Sequence, residues 1–443
     1  MICKRRIAIG VGMLILVVLG ILCYVRWEVW FGNVPEPPYS TPDKPQRILL
    51  TFGDEDMYSR NVSWSCGETL QASFLELADE NDTLHIEATG EVFESRSGKA
   101  AYYVARLRGL QAGCHYSYRV CTNGHYSSWH HFNISDHSNA SFLYVGDVQD
   151  TIAGITNQLL REAFRHHPEA QFLVCGGDLT ERPIDAYWQE TFDGLDSIGQ
   201  SVPLLNATGN HDYLKGLIYR LERRFSLVHS YYLDSMEGVN QVFTLRYKDV
   251  QLFVLDSNRE FFYLFTQRAW LKRQLEKSTA KWKVVVLHHP LYSIRGKNNN
   301  LIQRWMFDDL IREYDVDLVL QGHEHAYARM TAHDDDEAET PVYVVSHLSP
   351  KNYRIEFDER FDKFGSGSRY YQKVVADDEQ LILTAYDAVT NALYDSLVIT
   401  KDKDIEDFGK GIPEKIEFTP VPGNKKDAAF ARRIEEYKER RKM

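Results

Sequence analysis

SFLYVGDVQD (141–150), QFLVCGGDLTE (171–181), PLLNATGNHD (203–212), KVVVLHHP (283–290) and VDLVLQGHEH (316–325) share one pattern: a short apolar run that breaks off into Gly, Asp, Asn or His. Short apolar runs closed by turn residues read as buried strands. Helical patterns near 153–166, 184–198, 266–277 and 301–314 separate them, and further strands fall near 341–347, 370–376, 380–386 and 393–400. Strands alternating with helices predict an α/β layered fold in which helices cover sheets. In such sheets ligands bind beyond the carboxyl ends of the strands. The polar residues at those ends, far apart along the chain, are therefore expected to converge on one crevice.

The residue types at the strand ends suit divalent or trivalent cations, because carboxylates, an amide oxygen and imidazoles are the donors that Zn, Fe or Mn accept. Glycines beside them permit sharp turns and close backbone approach. Taken singly, each block is weak: Gly-Asp after a strand is ordinarily a turn, and a lone HxH is commonly structural. Five blocks in order, each ending an apolar strand, point to a shared metal centre. Upstream, RILLTF, VSWSC, TLHIEA, AYYVARL, HYSYRV and WHHFNI, with turns between them, read as a β-sandwich. Trp64 is a natural core residue of it, and Tyr116, six residues after Leu110, suits a tyrosine corner.

GDVQD, GGDLTE, GNHD, VVLH and GHEHAYAR together resemble the five ordered blocks of the calcineurin-like metallophosphoesterases, and specifically the purple acid phosphatase branch, which pairs its catalytic domain with an N-terminal fibronectin-like domain. The resemblance covers roughly residues 45–400. It implies an α/β fold: a layered β-sandwich flanked by helices, preceded by an all-β fibronectin type III-like domain. It also implies two metal ions, Fe, Zn or Mn. Asp147 and His325 would bind the first and Asn210, His288 and His323 the second, with Asp178 bridging. The implied activity is hydrolysis of phosphate esters, phosphomonoesters foremost, by metal-bound hydroxide, with His211 assisting the leaving group. Two departures matter. Glu181 stands where the branch has a tyrosinate, so the protein should not be purple. Gln149 stands where the wider superfamily often has a histidine ligand, and is a weaker first-site donor. Asp212 would either orient His211 or simply close a turn. His289, Arg295 and Lys297 are candidate substrate contacts, with solvated loop charge as the alternative for the last two. The rival functional reading is a non-catalytic, receptor-like protein with a degenerate site.

Residues 7–25 carry no charge and are followed by Trp27, Trp30 and Phe31. About 20 apolar residues cross a bilayer core, so residues 1–26 are expected to form a cytoplasmic stub and single transmembrane anchor, with Lys4, Arg5 and Arg6 keeping the N-terminus inside. A cleaved signal peptide or a lipidated Cys23 would equally export the rest. The domain layout expected is then a Pro-rich linker over 27–45, the sandwich over 46–137, the catalytic domain over 138–400 and a charged, solvated tail over 401–443. The 63 acidic and 51 basic residues give a formal charge of −12, which argues against nucleic acid as a main partner. An anionic substrate must be drawn in by a local field. Cys66, Cys114 and Cys121 lie close enough in sequence for one disulfide whose pairing is undetermined.

Overall fold

The computed structural model describes residues 2–53, 57–79, 82–216, 218–231, 234–236, 239–331 and 341–441, with backbone alone for 2–9, 234 and 239–240. Two large sheets face one another. The first has eleven strands and places Ala140–Val145, Phe172–Cys175 and Leu204–Asn206 side by side and parallel; antiparallel strands from the last third of the chain extend it on one side. The second has eight strands, with Trp282–Val286, Leu318–Gln321 and Val342–Val345 parallel at its centre. Alternate residues of each strand fill the gap between the sheets: Phe142, Tyr144, Val174 and Leu205 meet Leu252, Val254, Val284, Val286 and Leu320. The other faces are covered by helices, Thr156–His166 and Asp185–Ser201 on one sheet, Phe261–Lys277 and Leu301–Glu313 on the other. Because the ligand-bearing strands run parallel in each sheet, their carboxyl ends open at one edge of the sandwich.

The N-terminal strands form a two-layered β unit around Trp64, Leu75, Tyr103, Tyr118 and Phe132. The Gln111 N–H donates to the Tyr116 hydroxyl at 3.0 Å, closing the expected tyrosine corner. One layer of this unit is not separate from the rest. Gln46–Phe52 pairs in parallel with Leu204–Asn206, with Thr51 opposite Leu204, so four N-terminal strands continue the eleven-stranded sheet. Buried side chains fasten the join: Asn61 Nδ2 donates to the Ser230 carbonyl at 2.7 Å and Tyr118 Oη to the Gln200 carbonyl at 2.8 Å.

Three expectations are corrected. First, no helix among the described residues is long and apolar enough to cross a membrane. The Ile2–Phe31 helix contains the uncharged stretch. It then runs on through Arg26 and Glu28. The predicted transmembrane anchor, the membrane as a partner and the extracytoplasmic location that rested on it lose their basis. Second, the C-terminal segment is docked rather than solvated: its helix, Lys425–Arg441, buries Phe430, Ile434 and Tyr437, the last stacked on Phe357 at 4.3 Å. Third, Cys66, Cys114 and Cys121 are free thiols.

His229, beside the junction, is fully enclosed. Its Nδ1–H donates to the Phe225 carbonyl at 3.1 Å, which leaves Nε2 to accept from Asn206 Nδ2 at 3.3 Å. Burial pushes its pKa down to about 3. A depressed histidine pKa favours the fold fully above about pH 6.5 and progressively less below it, as the unfolded chain takes up the proton. As pH falls from 6.5 to 5, unfolding free energy in urea should therefore drop more steeply in the wild type than in His229→Gln, the extra slope approaching about 1.4 kcal/mol per pH unit near pH 5. Equal slopes would show that His229 is not held neutral.

Candidate metal centre

The five loops leave their strands at the same edge and turn inward through backbone conformations that are costly for ordinary residues. Asp147, Asp178, His323 and His325 all have φ between 45° and 70°, the left-handed region that persists for non-glycine residues only where surroundings enforce it. Neighbouring glycines make room: a Cβ on Gly209 would fall on Asp178 Oδ1, and one on Gly322 on Asp147 Oδ2.

Asp147, Asp178 and His288 bring ligand atoms within 4.8 Å of one another, all three buried. Asp178 is the hub. Its Oδ1 accepts the His211 N–H at 2.8 Å, and its Oδ2 accepts from Gln149 Nε2 at 3.1 Å and lies 3.4 Å from His288 Nε2. Asn210 Oδ1 lies 3.1 Å from His288 Nε2 and 2.8 Å from His323 Nδ1. On the other side His325 Nε2 is 3.3 Å from Asp147 Oδ1 and 3.3 Å from Gln149 Nε2.

These contacts fit a cation. His288 Nδ1 is turned to the Gly176 carbonyl at 2.9 Å and so carries the hydrogen, which leaves the Nε2 lone pair aimed at two oxygens, Asn210 Oδ1 and Asp178 Oδ2. Three lone pairs facing one another are stable only around positive charge. Without a metal the imidazole itself must provide it: burial opposes protonation of His288, but the Asp178 and Asp147 carboxylates outweigh burial and raise it to about 9. Asp147 Oδ1 is buried without a hydrogen-bond partner, an anionic oxygen that a bound ion would satisfy.

The remaining predicted residues divide. His211 stands at the rim, Nδ1 on the Glu181 carbonyl at 2.5 Å and Nε2 3.9 Å from Asp178 Oδ2. Asp212 instead closes the turn: it accepts from the Gly209 N–H at 2.8 Å and from Thr180 Oγ1 at 3.3 Å. Burial, reinforced by Asp178, raises its pKa to about 8. The partner that orients His211 is thus the Glu181 main chain. His289 follows the end of its strand and lies beside the centre: its ring is 4.3 Å from that of His323 and Ser257 holds it at 3.0 Å. Arg295 packs over Tyr353 at 4.3 Å, and Tyr353 packs on His325 at 4.5 Å. Lys297 does not reach the centre; it is 73% exposed and lies 3.7 Å from Asp358.

Two contributors escaped the reading of the sequence, Lys351 and Tyr353. Both lie in the loop after Val342–Val345, where no periodicity or motif marks them. The Lys351 ammonium donates to the Glu181 carboxylate at 2.7 and 2.9 Å and to Gln149 Oε1 at 3.3 Å. Gln149 and Glu181, the two departures from the pattern the sequence resembles, are therefore joined by a third residue, whose ammonium lies next to the Asp147 side of the centre.

Comparison with known proteins agrees with this geometry. The calcineurin-like phosphoesterase family matches residues 140–327, and the purple acid phosphatase N-terminal domain matches residues 45–134. A phosphoenolpyruvate phosphatase of Allium cepa is 23% identical over 326 residues, 67% of this chain and 64% of that relative, so the chain spans less than two thirds of its length. Purple acid phosphatase 18 of Arabidopsis thaliana is 25% identical over 322 residues, 68% of this chain and 70% of that one. Among solved structures, a purple acid phosphatase from yellow lupin (Lupinus luteus) seeds shares the fold with a TM-score of 0.66 at 16% identity, covering 87% of this chain and 78% of that chain. PhoD shares it with a TM-score of 0.61 at 13% identity, covering 92% and 100%.

Proposed function

Since this chain is a member of the calcineurin-like metallophosphoesterase superfamily with a purple acid phosphatase-type N-terminal domain, we propose that it is a two-cation phosphoesterase acting on phosphate monoesters. The observation that carries the reading is the convergence of Asp147, Asp178 and His288, buried and within 4.8 Å, with Asn210, His323 and His325 around them. Asn210, His288 and His323 would hold one ion, Asp147 and His325 the other with Gln149 beside it, and Asp178 both. When bound, such ions supply Lewis acidity toward phosphoryl oxygens and a nucleophile at neutral pH.

The chain's own residues do the rest. Asp178 fixes the His211 main chain, and the Glu181 carbonyl fixes its ring through Nδ1–H, so that only Nε2 faces the centre. From there a protonated imidazole delivers its Nε2 proton to the departing alkoxide oxygen. Arg295, steadied on Tyr353, stands on the His325 side as a contact for a phosphoryl oxygen. His289, packed on His323, keeps that ligand's ring in place.

The test is phosphate release from glycerol 2-phosphate, whose alkoxide departs only with a proton, with Mn(II), Zn(II) or Fe added. The wild type should turn over, and His211→Ala should lose about 10²–10³-fold in kcat while retaining its metal. Unchanged kcat in that variant rejects the proton-delivery role. A second reading, a metal-holding centre without turnover, draws on the Lys351–Glu181 pair, which occupies a carboxylate beside the first ion position. It would be favoured by a metal-loaded protein inert toward mono- and diesters.

A further inference from the structure

A cleft of about 170 Å³ counts His211 and Asn210 among its lining residues. Three cationic side chains line it from three separate parts of the chain: Arg96 from the turn between Thr89–Glu94 and Lys99–Leu107, Arg182 from the loop after Asp178, and Lys215 from the segment after His211. A second cavity of about 340 Å³ shares Arg96 and Lys215 and adds Arg220. No carboxylate lines either cavity among the described residues, although the chain as a whole carries twelve more acidic than basic residues. One wall is the chain around Asn33, whose amide exchanges two hydrogen bonds with the Lys215 backbone at 2.8 and 2.9 Å. Glu36, three residues on and buried, anchors that wall to Arg224 at 2.7 Å and to the Asp185 N–H at 2.9 Å. The cationic heads are only lightly engaged: Arg96 meets the Val34 carbonyl at 3.4 Å, Lys215 the Val29 carbonyl at 3.1 Å, and Arg182 lies 3.8 Å from Glu181, whose carboxylate already serves Lys351.

Concentrating cations in a cleft against an acidic background produces a local field that only an anion exploits. Its place matters equally. A leaving group protonated by His211 lies against a ring that is itself part of this cleft's lining. Resting on the phosphoesterase reading, we propose that the Arg96–Arg182–Lys215 cleft is a subsite for a second anionic group, so that the preferred substrates are esters or anhydrides whose leaving group carries a further phosphate. Arginine binds such oxygens in bidentate fashion and lysine as a point charge.

Binding tests this without relying on turnover. Methylenebisphosphonate and methylphosphonate are titrated calorimetrically into the full chain in one Mn(II) buffer, so that chelation by the probe is common to every protein compared. The wild type should hold the bisphosphonate about tenfold or more tightly, one decade being about 1.4 kcal/mol. R96Q/R182Q/K215Q should bring that ratio close to one and leave methylphosphonate affinity within about twofold, each lost charge-assisted contact weakening only the second phosphonate. Equal affinities in the wild type, an unchanged ratio in the variant, or loss of both ligands together in the variant would overturn the subsite. Methylphosphonate binding with a ratio near one sinks the subsite alone; binding of neither probe by the wild type sinks the phosphoesterase reading with it.

Discussion

Asp178→Asn should abolish turnover, by about a thousandfold or more, and release metal to dialysis. The substitution keeps the shape and retains an oxygen for the His211 N–H, now accepted at 2.8 Å. What it removes is the negative charge at the one position that faces both halves of the centre, 3.4 Å from His288 Nε2 and 3.1 Å from Gln149 Nε2. The new amide also turns a donor toward the Gln149 donor or toward the His288 lone pair. A loss of about 4 kcal/mol of transition-state stabilisation corresponds to that thousandfold, and ligand charge is what sets the Lewis acidity and retention of a bound ion. Metal content by elemental analysis and kcat on p-nitrophenyl phosphate should fall together, with the urea midpoint little changed. A variant that keeps both metal and turnover would remove Asp178 from its shared position.

The largest effect on stability is expected at Arg329. It lies on Tyr327–Thr331 of the eight-stranded sheet and reaches across the sandwich to the eleven-stranded one, donating from Nε to Asp395 at 2.8 Å and from Nη2 to Asp407 at 2.7 Å. Tyr327 Oη donates to the same Asp395 carboxylate at 2.7 Å. Arg329 and Asp395 are each 1% exposed. Removing one member of such a pair leaves an unpaired charge in the interior, which costs about 3–5 kcal/mol. Arg329→Met should lower unfolding free energy by that amount, whereas Arg329→Met with Asp395→Asn should recover much of it, since the double variant leaves no charge at the fully buried Asp395 position and leaves Tyr327 an acceptor, while Asp407 and Asp362, which Arg329 also meets, retain access to water. Equal destabilisation in single and double variants would mean that packing, not charge, sets the cost.

The parts of the centre legible in the sequence are those that strand geometry enforces. A strand must end, and when five apolar runs end in metal donors, parallel pairing within each sheet brings those ends to one edge; hence Asp147, Asp178, Asn210, His288, His323 and His325 could be named together. Residues carried by irregular loops were not legible in the same way. Lys297 follows His288 closely in sequence yet turns outward to Asp358, and Lys351, far from every motif, lands on Glu181 and Gln149. Of the two roles open to Asp212, the structure has the turn-closing one, and the group on His211 Nδ1 is a main-chain carbonyl, which no residue type announces. The C-terminal helix read as solvated because its charged residues outnumber the three large apolar ones, Phe430, Ile434 and Tyr437, whose helical spacing makes a narrow but buried stripe.

The parallel pairing of Gln46–Phe52 with Leu204–Asn206 has a consequence for any attempt to take the protein apart. A fragment beginning after residue 137 would expose the flank of Leu204–Asn206 as a row of unsatisfied amides and carbonyls, the template on which strands from other molecules add. Cutting there would not liberate a catalytic module but create a self-associating edge, and would remove Arg96 from its wall. The N-terminal β unit thus serves its neighbour as a molecular selvedge, finishing a sheet that would otherwise fray into aggregation.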